Sequence, residues 1–308
     1  MKRKLVKQGE ATMMVSLPAK WIQKNNLNKG DEIDIDELDD ALVIKTQGPG
    51  KEIKKKIEIE LNDDNRELVR IMLIHIYRVG YDTVTIKNID NKTSEEIRRV
   101  AKELLLGFEV TSRTATTITL ENLSEPTDEK YETILRRTFF TIKETINTLN
   151  EEVKANSTER FNEVEELRNQ SDRMIMFCRR LVWKRGGKLY DWELLTFLNH
   201  IDHAMYYFFK SMKDSKSKKI NNPAVVRFVD GLTDYFGLFY DAYFNKDIGS
   251  INKIQNQRNK YQFGGIIDEL QKSKGIDSVS LSYLREIYRM IQMGTSPLYN
   301  EILSDLVN

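Results

Sequence analysis

Apolar positions in the first 46 residues recur every second residue rather than every third or fourth. Leu5 and Val6 lead into a turn at Gly9, and Met13, Val15 and Leu17 alternate toward Pro18. Trp21 and Ile22 fall on a short helix that stops around Asn26, followed by a tight turn at Gly30. Ile33 and Ile35 then alternate with acids, and residues 41–44 answer them across an Asp39-Asp40 turn. The pattern predicts strand, turn, strand, short helix, strand, turn, strand. Pro18 is expected at the first helical position, where its missing N–H would have no partner anyway. A segment this short buries too little apolar surface to fold alone, so its core must be shared with a second copy. The expectation is an obligate homodimer.

After the Gly48-Pro49-Gly50 punctuation the pattern lengthens. A strand is predicted over 54–61, a helix over 64–79 ending at Gly80, and a strand over 83–87. A second helix starts near Ser94, carries Ile97, Val100, Leu104 and Leu105, and ends at Gly107. Residues 110–120 supply a further strand or hairpin. This is a small β-α-β-α-β unit with two helices on one face of a sheet, read as a connector because it has neither a glycine-rich phosphate loop nor paired catalytic acids.

From Thr127 the period changes to that of a helix and stays there. Six helices are predicted, over 128–154, 157–183, 191–213, 223–245, 248–272 and 278–307, with breaks at Gly186-Gly187, in the 214–219 lysine-serine loop, at Pro223 and at Gly275. The third shows the clearest apolar stripe, through Leu194, Leu198, Ile201, Met205 and Phe208. The helices fall into two similar groups of three. The whole chain is thus expected to be multidomain α+β, with domains over 1–47, 51–123 and 125–308.

Charge changes the picture at the N-terminus. Residues 1–29 carry Lys2, Arg3, Lys4, Lys7, Lys20, Lys24 and Lys29 against the single acid Glu10, whereas 31–40 carry seven acids and no base. The net charge of +1 for 308 residues therefore hides a strong local dipole. The basic half suits a phosphate backbone, although charge runs also serve simply to solvate a terminal strand. The remainder is an ordinary balance, 40% hydrophobic and 31% charged. With Cys178 as its one cysteine, the chain has no disulfide framework and no cysteine-based zinc site. The charged N-terminus is unlike a secretory signal, and no run approaches the ~18 apolar residues of a membrane span. These features predict a cytoplasmic protein without direct membrane insertion.

The basic strand at Arg3-Lys4, the Val15-Ser16-Leu17-Pro18 step from strand to helix, and Leu27-Asn28-Lys29-Gly30-Asp31 before the third strand carry a resemblance. Together they resemble the swapped-hairpin DNA-binding domain of the AbrB/SpoVT/MazE family. The resemblance implies interleaved hairpins from two chains presenting a basic face to double-stranded DNA. Arg3, Lys4, Lys7, Lys20 and Lys24 would contact phosphates and groove, and Ser16 would hydrogen-bond a backbone phosphate.

The helical half resembles the PhoU-type phosphate-uptake regulators. The carriers are the run from Phe239 to Asp247, Glu166-Leu167 through Asp172-Arg173, and Ile201-Asp202-His203-Ala204. An AbrB-like domain, a small α/β connector and a PhoU-like bundle in this order look like an archaeal type of regulator. In the PhoU family, carboxylates one helical turn apart hold metal clusters. Here Arg168 stands four residues before Asp172 and Leu198 four before Asp202, with Tyr288-Arg289 where further acids would fall and Gly294–Pro297 interrupting the last helix. A cation in place of a carboxylate opposes metal binding, so neither metal nor cofactor is expected. His200 and His203 beside Asp202, and His75, are read as packed or solvated residues, with His75 inside a helix core. A basic cluster of Arg179, Arg180, Lys184, Arg185 and Lys188 suits a helix C-terminus or an anion- or partner-docking surface.

The leading reading is a DNA-binding transcriptional regulator of phosphate uptake whose helical half senses or relays transport status. The second is an adaptor that restrains phosphate-transporter components, with the N-terminus serving to dimerise it. A toxin-neutralising antitoxin fits less well, because a large helical half follows the N-terminal domain. An enzyme is not expected: Cys178 has no plausible base partner, and paired catalytic carboxylates are missing.

Overall fold

The computed structural model describes residues 2–9, 12–38, 41–46, 54–61, 66–123, 128–184, 186–215 and 219–307. The Asp39-Asp40 turn, the Gly48-Pro49-Gly50 punctuation, Glu10, Arg185 and the middle of the lysine-serine loop lie outside these residues. The chain divides into two compact units, Met1–Lys54 and Lys55–Asn308.

The first unit contains β1 (Val6–Gln8), β2 (Thr12–Met14), α1 (Ala19–Lys24), β3 (Ile33–Leu38) and β4 (Ala41–Thr46). β1 pairs antiparallel with β2 and β3 with β4, as two separate two-stranded sheets. Pro18 lies one position earlier than expected: it is the extended N-cap (φ −63°, ψ 127°), and its carbonyl accepts from the N–H groups of Trp21 and Ile22. The helix closes where Asn26 enters the left-handed region (φ 52°) and Leu27 N–H returns to the Ile22 carbonyl. Asparagine tolerates that conformation better than most residues.

The second unit opens with β5 (Lys56–Glu60), α2 (Arg66–Arg78), β6 (Thr83–Lys87), α3 (Asn91–Leu104), β7 (Phe108–Arg113) and β8 (Thr117–Asn122). The sheet order is β5-β6-β8-β7, with β5 parallel to β6 and the other pairs antiparallel. Residues 110–120 are therefore a hairpin, completed by Phe108 and Asn122 at its ends. α3 begins three residues before Ser94 because Asp90 caps it, accepting from Thr93 N–H at 2.7 Å. Val84, Ile86, Ile118 and Leu120 face the helices and are fully buried. The opposite face carries Thr85 and Thr119, whose hydroxyls meet at 3.2 Å. His75 is exposed on α2 rather than buried in the helix core, since the inward stripe runs through Val69, Leu73, Ile76 and Tyr77.

The helical part comprises α4 (Asp128–Ala155), α5 (Phe161–Lys184), α6 (Leu189–Asp214), α7 (Pro223–Phe244), α8 (Ile248–Asn256), α9 (Gly265–Lys272), α10 (Gly275–Met293) and α11 (Thr295–Val307). The first four correspond to predicted helices. The fifth is broken: a π-helical turn over Asn259–Phe263 separates α8 from α9, closing at Gly264 (φ −120°, ψ −96°). The π turn admits one extra residue and turns Tyr261 and Gln262 inward, a change of phase that a constant 3.6-residue period does not anticipate. The sixth breaks at Gly294, where a β-carbon would lie 2.8 Å from Phe239 Cζ. One continuous core runs through these helices from Leu135 to Ile302. α5 also faces the α/β layer, contributing Met176 to the core formed by the sheet, α2 and α3.

Candidate nucleic-acid interface

In the first unit all six candidate contact residues are exposed. Arg3 and Lys4 precede β1, and Lys7 is the middle residue of β1, opposite Met13. Ser16 lies in the extended link from β2 to α1. Lys20 and Lys24 stand four residues apart on α1 and so share one helix face. Among the described residues no hydrogen bond or ion pair links these six to one another, and none of the five cations pairs with an acid. Lys2 and Lys29 are also exposed.

Three acids of the same unit, Asp34, Asp36 and Glu37, lie on β3, with Asp31 and Glu32 just before it. The charge separation read over residues 1–40 thus sets the basic residues of β1, its lead-in and α1 against the acids of β3, while β4 carries Lys45 opposite Asp34.

Among its described residues the unit has no interior of its own. None of its described residues is buried, and Leu5, Met13 and Leu42 are each more than 60% exposed. Strand alternation sets Leu5, Lys7, Met13 and Val15 on one face of the first hairpin and Val6 and Met14 on the other. Both faces thus hold uncovered apolar residues. An isolated two-stranded hairpin is marginal in water, and here two form separate sheets.

Within the second basic cluster, Arg179, Arg180 and Lys184 are engaged inside the fold, Lys188 is exposed and Arg185 lies outside the described residues. Arg180 donates to the Tyr77 and Tyr81 carbonyls and to Asp82, and Lys184 reaches Asp82 at 3.0 Å. Arg179 is buried, donates to Thr196 and lies 5.5 Å from the Trp192 ring; burial, reinforced by nearby Arg78, lowers it to about 10. The Lys188 ammonium lies 5.1 Å from the Tyr190 ring centroid. The signal that distinguishes Arg179 and Arg180 is their place on an apolar stripe of α5, with Cys178 buried beside them.

Around the carboxylates singled out in the helical half, Asp172 accepts from Asn199 and lies 2.8 Å from His203 Nε2, while Arg168 pairs with its other oxygen at 3.2 Å. Asp202 is fully buried, and neither of its oxygens has a hydrogen-bond partner of good geometry. Arg168 therefore occupies the charge complement that a metal would supply at Asp172. No helix among the described residues is long and apolar enough to cross a membrane.

Comparison with curated proteins yields no match, and comparison with solved structures yields none. Residues 6–52 match the family described as antidote-toxin recognition MazE, bacterial antitoxin. The match coincides with the two-hairpin unit, which is thereby a MazE/AbrB-like domain heading a multidomain α+β chain.

Proposed function

We propose that this protein is a DNA-binding transcriptional regulator acting as a homodimer in the cytoplasm. Residues 1–47 form its swapped-hairpin DNA-binding and dimerisation domain, 51–123 its connector, and 125–308 a PhoU-like helical domain. Arg3, Lys4, Lys7, Lys20 and Lys24 contact backbone phosphates and groove, and Ser16 hydrogen-bonds a phosphate. The observation that carries this reading is the set of five exposed cations, without an ion pair among the described residues, on a unit none of whose described residues is buried. The link to phosphate uptake, through transporter components and in an archaeal type of regulator, rests on the sequence resemblance of the helical half.

Lysine and arginine contacts release counterions from DNA, so log K falls with log salt at about −0.9 per contact. A dimer using four such residues from each chain should give a slope on the order of −4 to −7, allowing for contacts not made. Replacing Arg3 and Lys4 together with alanine should flatten the slope and weaken binding to all sequences, whereas replacing Lys216 and Lys218 should do neither. Equal losses from both pairs would reduce the binding to general charge attraction. Absence of any duplex retardation at physiological salt would leave the adaptor reading. Chromatin immunoprecipitation at high and low phosphate tests the phosphate link separately.

A further inference from the structure

At one end of the helical part, the N-terminal turns of α4 and α6, the end of α7 and the side of α11 enclose a cleft of about 510 Å³. Its walls are aromatic: Tyr131, Tyr190, Tyr243 and Phe244. Burial raises the Tyr131 and Tyr243 hydroxyls well above the ordinary phenol range, which keeps both neutral. The Tyr190 hydroxyl is also buried and meets no hydrogen-bond partner.

Three carboxylates line the same space, and two have cations of their own. Glu301 pairs with Lys246, and Glu132 with Arg136 at 3.0 Å. Asp191 has no ion pair among the described residues. Burial, and then the neighbouring Glu301 carboxylate, raise its pKa, and the Lys188 backbone N–H with the Lys188 and Lys246 charges only partly opposes this, so further positive charge beside it is favourable. The chain itself already seats ammonium groups on these walls: Lys246 lies 5.2 Å from the Tyr243 ring centroid and Lys188 5.1 Å from that of Tyr190. Ring faces attract cations, and more strongly where water is excluded. Three carboxylates, Glu132, Asp191 and Glu301, thus face two ammonium groups, Lys188 and Lys246, in the lining.

We propose that this cleft binds a small organic ammonium ion, an aliphatic amine of metabolite size, with its N–H groups donating to Asp191 and its carbon chain against Tyr131, Tyr243 and Phe244. The site is independent of the DNA-binding reading, and its test contains no DNA.

Calorimetric titration of the full chain with putrescine should saturate at one site per chain. The neutral butane-1,4-diol and the anionic succinate should give no saturable heat. Asp191→Asn should weaken putrescine at least tenfold, because a hydrogen bond between two charged partners becomes one to a neutral amide. Lys246→Met should tighten it by releasing Glu301 to the second amine, an effect that damage to the fold would not produce. Thermal unfolding of both variants near that of the parent checks their integrity, and Tyr243→Leu serves as a further weakening variant if Asp191→Asn unfolds. Saturable binding of succinate, equal binding of the diol, or putrescine binding indifferent to both Asp191→Asn and Lys246→Met would overturn the proposal.

Discussion

The Arg180 guanidinium donates to Asp82 Oδ1 at 2.6 Å, with both side chains withdrawn from solvent. The same guanidinium donates to the Tyr77 carbonyl at 3.0 Å and the Tyr81 carbonyl at 2.7 Å, and lies 5.1 Å from the Tyr77 ring centroid. Asp82 uses its other oxygen to accept from Lys55 N–H at 2.9 Å. The turn between α2 and β6 is thereby fastened to α5, and the start of β5 is held to the same carboxylate. Desolvation offsets much of the attraction in a buried ion pair, but removing one partner strands the other charge.

Asp82→Asn should therefore destabilise the second unit by about 3–5 kcal/mol, the usual result of breaking a buried pair. Adding Arg180→Met should recover part of that loss, since the stranded cation is gone. Urea unfolding measures both. A single mutant within half a kcal/mol of the parent, a margin typical of uneventful surface changes, would show that the pair is not what holds the turn to α5.

Elements with a steady period were legible in the sequence, as were breaks made by residues with backbone constraints. Pro223 at the head of α7 and Gly275 (φ 58°) at the head of α10 fall where expected. The π turn was not legible, because Tyr261 and Gln262 enter the core by a local change of phase. The break at Gly294 was foreshadowed by its glycine, but the reason, close approach to Phe239, is a contact 55 residues away in the chain. At the candidate interface the charge separation was legible and the roles of Arg180 and Lys184 were not. A cation's long stem lets it sit on an apolar stripe while its head finds a partner distant in sequence. The ammonium cleft gave no local signal, since its walls come from four separate helices.

Asp202 predicts a specific dependence on pH. Burial, and secondarily the Asp172 carboxylate, hold its carboxyl well above the usual range, while Arg168 and nearby Ser171 only partly oppose this. The folded chain thus retains a proton that the unfolded chain has released. The stability tied to this proton is fully present below the unfolded value of about 4 and declines as pH rises toward the folded value. Asp202→Asn removes the linkage. Its stability relative to the parent should improve between pH 4 and pH 7, by up to about 1.4 kcal/mol per pH unit while the parent's carboxyl remains protonated. A difference that stays flat over that interval would mean that Asp202 does not hold a proton in the folded state.

Two glycines on α7 should respond oppositely to alanine. A β-carbon at Gly231 would lie 2.8 Å from Tyr261 Oη and 2.9 Å from Tyr288 Oη, whereas one at Gly237 meets nothing within 4 Å. Tyr288 is pinned, its ring stacked on Tyr261 with centroids 4.0 Å apart and its hydroxyl donating to the Phe228 carbonyl. Gly231→Ala should thus cost roughly 1–3 kcal/mol by overpacking. Gly237→Ala should add about 0.5–1 kcal/mol by restricting the unfolded chain and favouring helix. Thermal denaturation of the two variants side by side decides it, and the same sign for both would refute the packing argument.

The first unit makes the sharpest claim about assembly. Leu5 is 67% exposed, Met13 61% and Leu42 63% in the single chain. Were the chain a monomer, replacing Met13 and Leu42 with aspartate would be close to neutral, because neither side chain loses a buried environment. If a second copy covers these hairpins, the same substitutions place two charges per chain in an apolar interface and should dissociate it. Deleting residues 1–47 should have the same effect on assembly while sparing the second unit, which keeps its own continuous core. Sedimentation equilibrium distinguishes the cases: a dimer for the parent and monomers for both variants. A dimer that survives the deletion would place the main contact on the second unit, and one that survives only the aspartates would mean that the partner does not cover Met13 and Leu42.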